Sequence, residues 1–138
     1  MTILILLSLI IGAGPVAPQK QLPVRVVTVY HAIAAETDST PLITADGTEV
    51  TTGQRICAVS QNMLAEVRFG DALWVDVPDK KLRGVWWVHD VLAKRYTDYV
   101  DLLVPLDTLR CWQTDKPRSG CTRAPLRVYH IGGLHDQP

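Results

Sequence analysis

Short apolar bursts alternate with turn residues along most of this chain. Val24 to His31 is rich in Val and carries Tyr30, the composition of a β-strand. Similar runs follow at Arg55–Val59, Ala72–Val77, Arg83–Asp90, Tyr99–Val104 and Ala124–Ile131. Between them lie turn signals: Thr37-Asp-Ser-Thr-Pro41, Ala45-Asp-Gly47, Phe69-Gly-Asp71 and the stretch from Pro78 to Leu82. Only Ser60-Gln-Asn-Met-Leu-Ala-Glu66 has helical character, one or two turns with Ser60 as N-cap. About six short strands, regular turns and little helix predict an all-β domain, either a small barrel or a sandwich.

The first residues break this pattern. Thr2 to Ala13 is a compact apolar run interrupted by Gly14-Pro15. It is shorter than the about 20 residues a membrane span needs. Its length and the small residues at Gly12 to Gly14 and at Ala17 fit the apolar core of an export signal. Residues 1–19 are therefore expected to be a signal peptide or a membrane anchor, and the protein to be periplasmic, in the cell envelope or extracellular. Pro15 to Pro23 reads as a linker, residues 20–131 as the folded domain and 132–138 as a flexible tail.

Composition narrows the partners. The chain has 138 residues, enough for one domain with a real core. Lys and Arg number 14 and so do Asp and Glu, so nothing in the charge favours nucleic acid. Three cysteines, Cys57, Cys111 and Cys121, permit one disulfide in an exported chain. Cys111 and Cys121 flank a polar loop and Cys57 sits in an apolar strand, and the pairing stays open. His31, His89, His130 and His135 match no metal-site spacing, and no metal or cofactor is expected.

Chemistry concentrates between Val85 and Val104. One apolar run ends on Asp90, a loop with Lys94 and Arg95 follows, and Asp101 stands inside the next run. A carboxylate in a strand is costly unless it is paired, hydrogen-bonded or used. Desolvation among Val100, Leu102 and Leu103 would raise the Asp101 carboxyl into the range of a general acid or base. Two carboxyls in one cleft are the usual machinery for glycosidic cleavage. The structural alternative is that Asp90 caps a turn and Asp101 pairs with Lys94 or Arg95. Those two cations form either a clamp for a substrate carboxylate or a solvated loop. Trp86 and Trp87 are adjacent and must face opposite sides of a strand, one into the core, the other as surface or as a sugar-stacking platform.

The order of these motifs resembles the 3D-domain family. Thr44-Ala-Asp-Gly-Thr48 is similar to its "T-A-S-G-T" turn, and Arg55-Ile-Cys-Ala-Val59 with Phe69-Gly-Asp-Ala-Leu-Trp-Val75 to its "iAV…lG…v.v" strand pair. Val88-His-Asp90 and Val100-Asp-Leu102 resemble its "DTG" and "iDl" segments. The resemblance spans roughly Val24 to Val104. It implies kinship with RlpA-like proteins, MltA-type lytic transglycosylases and expansins, and hence a six-stranded double-psi β-barrel. By the same resemblance Asp101 falls on the acid/base catalyst, Asp90 on the supporting aspartate, and Tyr30 and Thr44 on groove positions. Ser60 stands where the family has its first aspartate, and Val91-Leu92 replaces the usual Thr-Gly. The implied activity is lytic cleavage of peptidoglycan, with Trp87, Lys94 and Arg95 added as substrate contacts. The alternatives are an expansin-like module that binds cell-wall glycan without cutting it, or an interaction protein on the same scaffold.

Overall fold

Runs of β-branched and aromatic residues form the strands of the computed structural model, which describes residues 20–32, 39–51, 53–105, 112–113, 122–123 and 126–133. The expected export segment 1–19, the loop cysteines Cys111 and Cys121 and the tail beyond residue 133 lie outside these residues. Among the described residues nine strands follow in order: β1 Lys20–Gln21, β2 Val26–Tyr30, β3 Ile56–Val59, β4 Asp71–Asp76, β5 Gly84–Val91, β6 Tyr99–Leu103, β7 Trp112–Gln113, β8 Thr122–Arg123 and β9 Arg127–Gly133. The fold is all-β. Its helical element is a 3-10 turn at Gln61–Ala65. Among the described residues no helix is long and apolar enough to cross a membrane.

The strands pair in the order β1-β9-β4-β5-β3-β6-β2-β7-β8. β2 runs parallel to β6 and β3 parallel to β5, while β3 and β6 are antiparallel. The six long strands are the six that the apolar pattern marks. β1, β7 and β8 are two-residue pieces with too few positions to show a period. The stretch read as a linker contributes Lys20 and Gln21, which pair with His130 and Tyr129. Leu22 then donates its N–H to the Val128 carbonyl at 2.8 Å and is itself buried. The run from Lys20 to Tyr30 thus touches β9 through β1 and β6 through β2, two strands far apart in the pairing order.

Each long strand sends at least one residue into the main core. Val27, Cys57, Leu73, Val88, Leu102 and Val128 come from β2, β3, β4, β5, β6 and β9, and all have 0% exposure. Among the described residues the pairing order runs open from β1 to β8, and no ladder joins its two ends into a closed barrel. Cys57 is a free thiol in this core, where it packs as a small buried hydrophobe. A smaller cluster of Tyr30, Ile56, Ala58 and Leu103 occupies the other face of β2, β3 and β6.

Two polar devices seal the ends. Arg55 donates from its guanidinium to the carbonyls of Lys81, Leu82, Arg83 and Val85 at 3.0–3.1 Å, and it lies 4.3 Å from the Trp86 ring centre. It therefore satisfies the carbonyls of the turn before β5 and covers the buried indole. At the other end Asp71 is buried, accepts from the Arg68 N–H at 2.9 Å, and is 2.9 Å from His130 Nε2. β9 runs on to Gly133, opposite Asp71, two residues past the strand limit read from the sequence. A Cβ at Gly133 would clash with Asp71 Oδ1, so the strand reaches this carboxylate only because residue 133 has no side chain. Gly133→Ala is expected to destabilise the chain by about 1–3 kcal/mol, the usual cost of overpacking, measured by urea unfolding. A loss below about 0.5 kcal/mol would show that Asp71 is free to give way.

Candidate functional site

Strand register brings the two candidate aspartates into one row. Asp101 on β6 is paired with Ala58 on β3, and Ala58 is paired in turn with Asp90 on β5. On the far side Asp101 is paired with Thr28 on β2. Residues directly opposite across a ladder point to the same face. Thr28, Asp101, Ala58 and Asp90 therefore form a line across four strands, with the smallest side chain between the two acids. Two strand spacings separate the acids, roughly 9–10 Å between backbones.

Asp90 reaches this face through a β-bulge. Trp86 and Val88 are buried in the main core, and strict alternation would send Asp90 after them. The register shifts between Cys57 and Ala58: Val88 is opposite Cys57, but Asp90 rather than His89 is opposite Ala58. His89 is the extra residue. It turns Asp90 out of the core, where an ionised carboxylate would be prohibitively costly.

The carboxylates are held differently. Asp90 Oδ1 accepts from the N–H groups of Ala45 and Val91, both at 3.0 Å, and its Oδ2 accepts from the Tyr30 hydroxyl at 3.0 Å. Three donors fix it as an acceptor. Asp101 Oδ1 accepts from the Thr28 hydroxyl at 2.7 Å, and its side chain is half-buried. Burial pushes the Tyr30 phenol far above its ordinary value; the charge and hydrogen bond of Asp90 raise it further, and Asp101 adds to this. The Cys57 thiol is pushed up by burial and then by Asp101 and Asp90. Both groups stay protonated at neutral pH and feel both carboxylates, as one shared neighbourhood requires.

The turn from Thr44 to Thr48 docks on the bulge. Gly47 has φ of +85°, which a glycine adopts without strain, and donates to the Thr44 carbonyl at 2.9 Å. The buried Thr44 hydroxyl donates to Asp46 Oδ1 at 2.7 Å and accepts from the Thr48 N–H at 3.1 Å. Asp46 Oδ2 lies 2.6 Å from His89 Nδ1, and the Asp46 N–H donates to the His89 carbonyl at 3.3 Å. Burial works against the Asp46 charge, but hydrogen bonds from His89, Thr44 and Thr48 outweigh it and lower the carboxyl from 3.8 to about 2.

The other expected site residues are spread around this centre. Trp87 is 38% exposed while Trp86 is buried, so the adjacent pair divides as strand geometry demands. With Gly53, Gln54, Arg55, Ile56, Val85 and His89, Trp87 lines an open groove of about 420 Å³. Lys94 and Arg95 are exposed on the loop between β5 and β6, where the Arg95 guanidinium lies 4.8 Å from the Tyr96 ring centre. Thr44 spends its hydroxyl inside its own turn. Ser60 occupies the N-cap position of the 3-10 turn but makes no side-chain cap bond. Its fully buried hydroxyl instead accepts from the Tyr99 N–H at 2.8 Å and ties the end of β3 to the start of β6.

Sequence reasoning missed Thr28, Asp46 and Ala58, and it weighed His89 only as a metal ligand. The Asp-Gly pair at 46–47 was a readable signal for a turn, but nothing nearby in sequence names His89 as its partner. No protein-family model matches the chain, and no curated protein matches it.

Because Asp46 titrates lower in the folded chain, its contribution to stability is complete above about 3.8 and is lost as pH falls to about 2. Asp46→Asn is expected to flatten the acid limb of the stability curve over that window, measured by urea unfolding from pH 2 to 7. An unchanged acid limb would mean that Asp46 is no better held in the folded than in the unfolded chain.

Proposed function

We propose that the chain is a double-psi β-barrel protein of the 3D-domain and RlpA-like kind, exported to the cell envelope, that cleaves peptidoglycan by lytic transglycosylation with Asp101 as acid and base. The barrel reading is supported by the two parallel pairs, β2 with β6 and β3 with β5, by the main core that all six long strands share, and by the run from Lys20 to Tyr30 that touches strands far apart in the sheet. The export reading rests on the apolar run from Thr2 to Ala13.

The observation that carries the catalytic reading is the row Thr28–Asp101–Ala58–Asp90, with both acids on one face and different hydrogen bonds on each. In this scheme Asp101 gives its proton to the glycosidic oxygen as the C1–O bond breaks. The resulting carboxylate takes the proton of the sugar's own 6-hydroxyl as that oxygen closes on C1. Water does not enter, and the product is a 1,6-anhydro sugar. Asp90, gripped by three donors, is a fixed negative charge facing the cationic character that develops at C1. Inverting hydrolysis would instead ask Asp90 to hold and deprotonate a water across a gap of about 6.5–9.5 Å. Ala45, Val91 and Tyr30 already engage three of its about four acceptor sites, which favours the one-acid scheme.

A second reading, a glycan-binding module that does not cut, is favoured by the exposed Trp87 beside the groove. Digestion of purified peptidoglycan by the full chain separates the two, with soluble products analysed by mass spectrometry. Anhydro-muropeptides are expected from the wild-type chain and a drop of at least about a hundredfold from Asp101→Asn, the size of effect general acid–base catalysis gives. Release that survives Asp101→Asn would remove this residue from the chemistry. Co-sedimentation with the cell wall but no product would favour the binding module.

A further inference from the structure

The groove beside the carboxylate row carries a second polar device that the catalytic scheme does not use. His89 is the bulge residue, its side chain is 25% exposed, and it lines the groove together with Trp87. Asp46 meets it through Nδ1 at 2.6 Å. The Asp46 carboxylate, which already accepts from the Thr44 hydroxyl and the Thr48 N–H, accepts here too, so in the neutral imidazole it is Nδ1 that carries the proton. That tautomer leaves the lone pair on Nε2, and the described residues supply it with no bonding partner. The neutral ring thus offers a hydrogen-bond acceptor at Nε2, on a residue that lines the same groove as the exposed Trp87.

An apolar flat surface and a hydrogen-bond acceptor in one groove are complementary to a sugar ring. The ring's C–H face stacks on the aromatic and an equatorial hydroxyl donates to the acceptor. The remaining walls suit this use. Ile56 and Val85 are apolar, and Gly53 leaves open space where a side chain would project. The Arg55 guanidinium is occupied by four backbone carbonyls, so the groove is not built to seize an anion with it. Ile56 and Trp87 are paired across β3 and β5 on the face that also carries Ala58 and Asp90, so the groove continues directly from the carboxylate row.

We propose that Trp87 and His89 form a saccharide subsite adjoining the Asp90–Asp101 row, in which Trp87 stacks on one sugar ring and His89 Nε2 accepts from its hydroxyl. Asp46 acts as a positioning residue that sets the His89 tautomer. The ligand class, a neutral β-linked N-acetylhexosamine chain, rests on the glycan reading above, whereas the subsite stands whether or not that glycan is cut.

The test is calorimetric titration of the full chain, carrying Asp101→Asn to prevent turnover, with a soluble tetramer of β-1,4-linked N-acetylglucosamine. Trp87→Ala and Trp87→Leu are each expected to weaken binding about tenfold, because leucine restores apolar bulk but not the flat face. His89→Ala is expected to weaken it by a similar factor, and Asp46→Asn by about threefold. In Asp46→Asn the imidazole ¹⁵N signals of His89 should also move toward a mixture of tautomers, which a purely structural role for Asp46 would not produce. Unfolding curves taken on every variant identify any loss that is only misfolding, and Trp87→Leu, which keeps the bulk, then decides. Binding that is equal in wild-type and in folded Trp87 and His89 variants overturns the subsite, as does no binding of the tetramer. Cleavage of peptidoglycan without tetramer binding would overturn the subsite and leave the catalytic reading standing. Binding that depends on Trp87 and His89 without cleavage would do the reverse.

Discussion

One extra residue in β5 sets everything that follows at the candidate site. A strand sends alternate side chains to opposite faces, and Trp86 and Val88 commit their face to the core. Without the bulge at His89, Asp90 would follow them into the main core as an unpaired charge. With it, Asp90 joins Ala58 and Asp101 on the opposite face, and His89 is freed to meet the turn at Thr44–Thr48. The same displacement therefore creates both halves of the site: the pair of acids and the histidine beside the groove.

The two halves also stabilise each other. The Ala45 N–H bonds Asp90, the Asp46 carboxylate bonds His89, and the Asp46 N–H bonds the His89 carbonyl, so one turn is fastened to two successive residues of the bulged strand. Gly47 lets that turn close, and the Thr44 and Thr48 groups orient the Asp46 carboxylate. On the other side Tyr30, buried beside Ala58, reaches Asp90 with its hydroxyl. A bulkier residue at position 58 would stand between Tyr30 and Asp90, which gives the small size of Ala58 a physical role.

Much of the fold was legible in the residues because it rests on local periodicity. The six long strands coincide with the six apolar runs to within a few residues, and the division of Trp86 from Trp87 follows from alternation alone. What was not legible depends on pairing between distant segments. Strict alternation gives no warning of the extra residue at His89, which shows only when β5 is laid against β3. Ser60 looks like a helix cap from its neighbours, yet its hydroxyl goes to Tyr99, 39 residues away. Asp46 reads as an ordinary turn residue until its partner 43 residues on is known. Asp90 and Asp101 were found as candidates because a charge inside an apolar run is conspicuous. That they lie either side of Ala58 could not be read from the sequence.

The orientation of Asp90 is thus the central claim, and a double-mutant cycle on Tyr30 and Asp90 measures it most directly. Stabilities of wild-type, Tyr30→Phe, Asp90→Ala and the double variant would be obtained by urea unfolding. A coupling of about 1.5–3 kcal/mol is expected, the range for a hydrogen bond to a charged group. Additive effects, with coupling below about 0.3 kcal/mol, would mean that Asp90 does not face Tyr30 and that the bulge does not turn it out of the core.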